Sequence, residues 1–249
     1  MRCLILAAGY GSRLQSKGVS KPLIELDGTP LIERVMLTNR EAGIAAFDVV
    51  TGHRGEALRA HLDAVGAREG IDIRYIDNPD YQLGNGVSVL KGRGLLNEPF
   101  ILSMCDHIYE ASVVADLIAV ANDPRGLPAN GLVLAVDRNI DNPEIDLDDV
   151  TRVLEQGGYI RAIGKGITEY NCFDTGVFVC TPGLFEAIER SIERHSDDSL
   201  SGGVRLLASE RKARILDIGA RYWIDVDEPF ELDEVTRHLS RRTVSAPNT

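Results

Sequence analysis

From Cys3 to Ile76, short Val/Ile/Leu-rich runs alternate with stretches whose apolar residues fall at helical spacing. No other feature narrows the choice of fold so far. Cys3–Ala7, Phe47–Thr51 and Ile71–Ile76 read as strands, with helices over Leu31–Ala42 and Gly55–Val65 between them. After a glycine-bounded segment at Gly84, a further strand is expected over Phe100–Met104 and a helix over Ser112–Val120. That order implies βαβ units, and so a Rossmann-like α/β fold: a mostly parallel sheet with helices on both faces. Ligands of such sheets lie beyond the carboxyl ends of the strands, where the loops converge.

The second half is less regular. Strands are expected near Gly131–Val136, Val150–Leu154, Tyr159–Ile163, Gly176–Cys180 and Ala213–Asp217, and helices around Pro182–His195 and Pro229–Leu239. No Pro/Ser-rich linker divides the halves, so residues 1–240 read as one domain whose sheet continues with antiparallel additions. At 249 residues and 44% apolar, the chain is long enough to bury a full core. Between Asp137 and Asp149, six of thirteen residues are acidic, which reads as a solvated loop or, alternatively, a second metal site. Arg241–Thr249 lacks periodicity and is expected to be a frayed tail or the start of a linker.

A formal net charge of −11 argues against sequence-independent binding to nucleic acid or to an anionic membrane. No apolar run approaches the roughly 18–20 residues of a membrane span, and Cys3–Ala8 is too short for a signal-peptide core. Of the four cysteines only Cys172 and Cys180 lie near one another, at a spacing that matches neither a redox pair nor a zinc pair. A reduced, cytoplasmic chain is therefore expected.

Against that acidity, Met1–Ile24 carries four basic residues and no acidic one. The first strand runs into Leu6-Ala7-Ala8-Gly9-Tyr10-Gly11-Ser12-Arg13-Leu14, followed by Lys17 and Lys21-Pro22. Small residues and glycines let backbone N–H groups approach a phosphate chain, while Arg13, Lys17 and Lys21 bring positive charge to the same mouth. A dinucleotide GxGxxG fingerprint would need glycine where Leu14 stands, and GxxxxGK[ST] is absent. Further along, Gly84-Asn85-Gly86-Val87-Ser88 is a polar glycine loop before a helix, able to bond a base edge or phosphate, or simply to cap that helix. Asp106-His107 ends a hydrophobic strand, where a carboxylate is placed to hold a hard cation and the imidazole either contacts phosphate or orients Asp106. In Tyr222-Trp223-Ile224-Asp225-Val226-Asp227-Glu228-Pro229, strand alternation puts Asp225 and Asp227 on one side, and Asp227 is also a helix N-cap candidate.

The Leu6–Leu14 run with Lys21-Pro22 resembles the LAAGxGxRL…KP signature of the sugar-nucleotidyltransferase superfamily, the MobA-like NTP transferases. With Gly-Asn-Gly and Ser88, Asp106-His107, Gly164-Lys165, Asp174-Thr175-Gly176 and Trp223-x-Asp225-Val226-Asp227, the chain is most similar to one branch. That branch comprises the CTP:inositol-1-phosphate cytidylyltransferases and their phosphonate-cytidylylating relatives. The resemblance covers nearly the whole chain and implies a nucleotidyltransferase (GT-A-like) fold. It also implies that Ala7, Ala8, Gly9 and Gly11, with Gly84, Asn85, Gly86 and Ser88, hold the nucleotide. By the same resemblance Arg13 holds the triphosphate, Lys21 the reacting phosphates and Lys165 the acceptor's anionic group. Asp106 and Asp227 would ligate Mg2+, with Asp225 as the competing or additional ligand.

The activity so implied is transfer of CMP from CTP to a phosphate or phosphonate oxygen of a small acceptor, with release of pyrophosphate. Relatives acting on inositol phosphate are often fused to a polytopic membrane domain that uses the product; the 249 residues contain no such segment. The acceptor stays open among inositol-1-phosphate, a small phosphonate such as 2-hydroxyethylphosphonate, phosphocholine and a sugar phosphate. Two other classes stand against this reading. A non-catalytic nucleotide sensor would not need Arg13, Lys21, Asp106 and Asp227 together, and a DxD glycosyltransferase built on Asp225-Val226-Asp227 leaves the basic entrance without a role.

Overall fold

The computed structural model describes residues 1–10 and 20–227, together with Glu231 and Val235. Gly11, Arg13 and Lys17, most of the helix expected over Pro229–Leu239, and the tail from Arg241 lie outside the described residues. In chain order the first half forms β1 (Arg2–Ala7), a 3-10 turn (Lys21–Leu23), β2 (Glu25–Leu26), β3 (Thr29–Pro30), α1 (Leu31–Glu41), β4 (Ala46–Thr51), α2 (Gly55–Glu69) and β5 (Asp72–Asp77). Next come α3 (Asn85–Leu90), β6 (Phe100–Met104), β7 (His107–Tyr109) and α4 (Ala111–Asn122). The second half forms β8 (Leu132–Asp137), β9 (Arg152–Gln156), β10 (Tyr159–Gly164), β11 (Cys172–Cys180), α5 (Gly183–His195), α6 (Leu200–Ser209), β12 (Ala213–Asp217) and β13 (Trp223–Asp225).

Among the described residues one nine-stranded sheet runs through both halves in the order β5-β4-β1-β6-β11-β8-β12-β10-β9. β5, β4, β1 and β6 are mutually parallel, as the alternation requires. From β11 onward the sheet turns mixed, with β11 antiparallel to both β6 and β8 and only β12 parallel to β8. Strand alternation fills both faces. On β1, Cys3, Ile5 and Ala7 join a core with Met36, Phe47, Leu58 and Val113, while Leu4 and Leu6 point the other way onto Val89, Phe185 and Val204. Phe100 and Phe185 stack there, with centroids 5.5 Å apart. All four cysteines are buried free thiols. Among the described residues no helix is long and apolar enough to cross a membrane.

Two helices escape the sequence pattern. The first turn of α6 contains Gly202 and Gly203, poor helix formers in isolation, yet there a Cβ at Gly203 would stand 2.5 Å from Ile188 and one at Gly202 2.4 Å from Ser191. Close packing on α5 requires glycine at both, and Ser199 caps the helix by accepting from the Gly202 N–H at 3.0 Å. The second is α3, which corrects the reading of Gly84–Ser88 as a loop preceding a helix. Gly84 is the N-cap and Asn85 already the first helical residue.

Candidate active site

The parallel strands β1, β4 and β6 end on one side of the sheet. Beyond Met104 the chain leaves β6, turns through Asp106 and forms β7, which pairs antiparallel with β13 in a separate two-stranded ribbon. The ribbon register sets His107 opposite Asp225, and the Val226 N–H donates to the Asp106 carbonyl at 3.0 Å. Two segments more than a hundred residues apart in sequence are thereby fixed side by side, and their carboxylates share one small volume. Trp223 anchors the ribbon from below, its indole N–H donating to Asp137 Oδ2 at 2.8 Å.

A cleft of about 330 Å3 opens above this ribbon. Ala7, Ala8 and Gly9 line it together with Tyr81, Leu83, Asn85 and Ser88, and Lys21, Asp106 and Asp227 bring the charged groups. Lys21, on the 3-10 turn, is nearly buried; its ammonium donates to Asp106 Oδ2 at 2.5 Å and to Asp227 Oδ1. Burial opposes the charge on Lys21, but Asp106, Asp225 and Asp227 outweigh it and hold the ammonium above its ordinary value. Asp106 is the mirror case. Burial pushes its carboxyl up, and Lys21 with His107 pulls it well below the usual range.

A second cavity of about 200 Å3 adjoins the first and shares Asn85, Met104 and Asp106 with it. Its lining includes Lys165, Asp149, Asp174 and Asp225. Lys165 donates to Asp149 Oδ1 at 2.5 Å. His107 Nδ1 lies 2.9 Å from Asp106 Oδ1 and 3.4 Å from Asp225 Oδ1. Although burial disfavours its charge, the facing carboxylates raise the His107 pKa to about 9. Desolvation raises Asp225 to about 7 and Asp174 to about 6. The glycine of Asp174-Thr175-Gly176 has a structural cause: its φ is +75°, and a Cβ there would meet the His107 ring at 2.1 Å.

The donor set suits a hard divalent cation. Carboxylate oxygens of Asp149, Asp225 and Asp227 lie within 4.8 Å of one another, as do ligand atoms of Asp106, His107 and Asp225. Asp225 belongs to both groups, and its Oδ1 makes no hydrogen bond but faces the His107 imidazole nitrogen at 3.4 Å.

Of the residues singled out from sequence, Ala7, Ala8, Gly9, Lys21, Asn85, Ser88, Asp106 and Asp227 line the first cleft, and Lys165 and Asp225 the second. Gly84 and Gly86 are packed elsewhere: a Cβ at either would stand within 2.6 Å of the Asp198 carbonyl oxygen. They form a joint with the turn before α6, in which the Gly84 N–H donates to Asp198 Oδ2 and Asn85 Oδ1 accepts from the Leu200 N–H. The acidic run also departs from the solvated-loop reading. Its first and last residues face inward, Asp137 to Trp223 and Asp149 to Lys165. Tyr81 and Leu83 carry no chemical signature in the sequence and emerge as lining only from the fold.

A parallel sheet ending in a cleft that gathers one buried ammonium and several carboxylates defines a domain of the nucleotidyltransferase class. The chain belongs to the MobA-like NTP transferase domain family, which matches residues 3–162. It is 34% identical over 238 residues to the "Bifunctional IPC transferase and DIPP synthase" of Rubrobacter xylanophilus, covering 92% of this chain and 49% of that protein. It thus spans about half the length of that curated relative. The inositol-1-phosphate CTP transferase from T. maritima superposes with a TM-score of 0.83 at 26% identity, over 99% of this chain and 98% of that one. The "CMP-5'-(3-aminopropyl)phosphonate synthase" of Streptomyces rubellomurinus is 28% identical, covering 92% of this chain and 37% of that protein.

Proposed function

We propose that the chain is a Mg2+-dependent cytidylyltransferase that moves CMP from CTP onto a phosphate or phosphonate oxygen of a small acceptor of the inositol-1-phosphate type. One observation carries the reading: two adjoining cavities share Asp106 at their boundary, one ending at Lys21 and the other holding Lys165. The first accommodates the nucleotide between Ala7–Gly9 and Asn85–Ser88, with Gly11 and Arg13 following on the same segment. The second takes the acceptor, its anion directed to Lys165. The two relatives whose names specify cytidylyl chemistry support CTP as donor.

The acceptor oxyanion is the nucleophile. At neutral pH it is already deprotonated, so no general base is required. It attacks the α-phosphorus of CTP in line, a new P–O bond forms, the bond from the α-phosphorus to the bridging oxygen breaks, and pyrophosphate leaves with the electron pair. The barrier lies in bringing two anions together and in the charge gathering on the phosphoryl oxygens. Lys21, held charged by its carboxylates, supplies a fixed ammonium beside the reacting phosphates. Asp106, Asp225 and Asp227 would hold the cation, whose chemistry is to neutralise phosphate charge and orient the leaving group. His107 stays protonated between Asp106 and Asp225, which keeps both carboxylates in place.

A small phosphonate bearing an ammonium is the second acceptor reading, favoured by the three carboxylates Asp149, Asp174 and Asp225 in the second cavity. Incubating the protein with each nucleoside triphosphate and Mg2+ against inositol-1-phosphate, 3-aminopropylphosphonate, 2-hydroxyethylphosphonate and phosphocholine separates the readings. Pyrophosphate is expected with CTP and inositol-1-phosphate. Release with a phosphonate alone transfers the assignment to that class, and absence of release with every acceptor despite tight CTP binding refutes the enzyme reading.

A further inference from the structure

We propose that Asp149 is a positioning residue that ties acceptor binding to the cation: it holds the Lys165 ammonium until a divalent ion at Asp225 and Asp227 takes over its charge. The inference rests on the reading of the second cavity as the acceptor site. Asp149 is one carboxylate between two demands. Its Oδ1 takes the Lys165 ammonium at 2.5 Å, and a carboxylate oxygen of Asp149 lies within 4.8 Å of those of Asp225 and Asp227. Asp149, Asp225 and Asp227 offer carboxylate oxygens alone on this side of the cluster, the donor set a hard divalent cation takes.

The segment bearing Asp149 is fixed in place. Arg152 donates from its guanidinium to the carbonyls of Leu147, Lys165 and Ile167, so the end of the acidic run and the turn carrying Lys165 form one unit. The Arg152 guanidinium in turn lies over the Tyr170 ring, 5.1 Å from its centroid. The Val150 N–H donates to the Asp146 carbonyl at 2.9 Å, and the Asp148 N–H to Asp146 Oδ1 at 2.9 Å. Only the side chains need to change partner.

With the cluster empty of a cation, Lys165 is engaged by Asp149, and an anionic acceptor must compete with a carboxylate for it. A divalent cation beside Asp149 supplies a second counter-charge and weakens that hold. Lys165 then becomes available to the acceptor's anion. By linkage the effect is reciprocal, so acceptor binding also tightens the cation. The acceptor is drawn in when the metal needed for transfer is in place, and a futile metal-free complex is disfavoured.

The test is calorimetric binding of inositol-1-phosphate in the presence of unreactive α,β-methylene-CTP, with and without Mg2+. In the wild-type background Lys165→Met is expected to raise the acceptor Kd about tenfold with Mg2+, the range of a lost charge-assisted contact, and less than about twofold without it. In the Asp149→Asn background the same substitution is expected to raise Kd about tenfold in both conditions. A role confined to folding would lower thermal stability and leave the metal dependence of the Lys165→Met effect unchanged. An equal Lys165→Met factor with and without Mg2+ in the wild-type background overturns the proposal, as does a metal dependence that survives Asp149→Asn. Should pyrophosphate release fail with every acceptor, the reading of function falls and the coupling with it. Release combined with equal factors removes the coupling alone.

Discussion

Single side chains carry the chemistry proposed for this site, and their roles differ enough to be told apart. Asp106 and Asp227 each accept from the Lys21 ammonium and border the candidate cation site, so Asp106→Ala or Asp227→Ala is expected to lower kcat by about a hundredfold or more. Steady-state pyrophosphate release at saturating CTP and Mg2+ checks this; near-wild-type turnover in either variant removes the metal role from that residue. Asp174 gives a different signature, in stability. Its folded pKa of about 6 stands above the 3.8 of an ordinary Asp because burial disfavours the charge. Between those values the folded chain binds more protons than the unfolded one, so the Asp174 contribution is fully present below pH 3.8 and is lost as pH rises through 6. Asp174→Asn removes that loss. In urea unfolding at stepped pH, the stability of the variant relative to the wild type is expected to climb across this window and level off above it. A constant difference would mean that the carboxyl titrates alike in both states.

At the scale of elements, the decisive unit is the β7–β13 ribbon with the turns that press on it. Gly176 leaves no room for a Cβ beside His107 and sits at positive φ. Gly176→Ala is therefore expected to destabilise the fold by about 1–3 kcal/mol and to displace His107, with both thermal unfolding and kcat reporting it. A variant with wild-type Tm and turnover would show that the backbone at Gly176 yields without strain. These dependencies explain what the sequence disclosed and what it withheld. The parallel half was legible because β1 and β4 are near-continuous apolar runs buried on both faces, while α1 between them buries one face at helical spacing. α6 was hidden, since Gly202 and Gly203 contradict local helix propensity and make sense only against α5. The same holds within the site. Lys21 stood out in an acid-free basic segment and Asp106 and Asp227 as carboxylates at strand ends, whereas the inward turn of Asp149 was masked by its place in a run of six acidic residues, two of which, Asp141 and Asp148, are exposed. A compositional run reports an average, and only tertiary contact reveals which member of it differs.

For the whole molecule the distribution of charge matters more than its sum. The chain carries −11, yet its first 24 residues have four basic groups and no acidic one. A long polyanion must meet the whole surface and is repelled; a nucleotide meets one cleft. Range separates the two effects. At about 10 mM salt the screening length is near 30 Å, comparable to the domain, so an approaching CTP feels the entire acidic surface. By about 150 mM it is about 8 Å, and only the cleft and its cations remain in view. Association of CTP is thus expected to strengthen or hold steady as salt rises over that interval, opposite to the steep weakening that a basic, counterion-releasing protein displays. Calorimetric Kd values for CTP at constant Mg2+ across the series decide the matter. A monotonic loss of affinity with the logarithm of salt would place the controlling field in the basic entrance instead of the acidic whole, and would make long-range attraction, not the carboxylate-held ammonium at the end of the cleft, the feature that recruits the nucleotide.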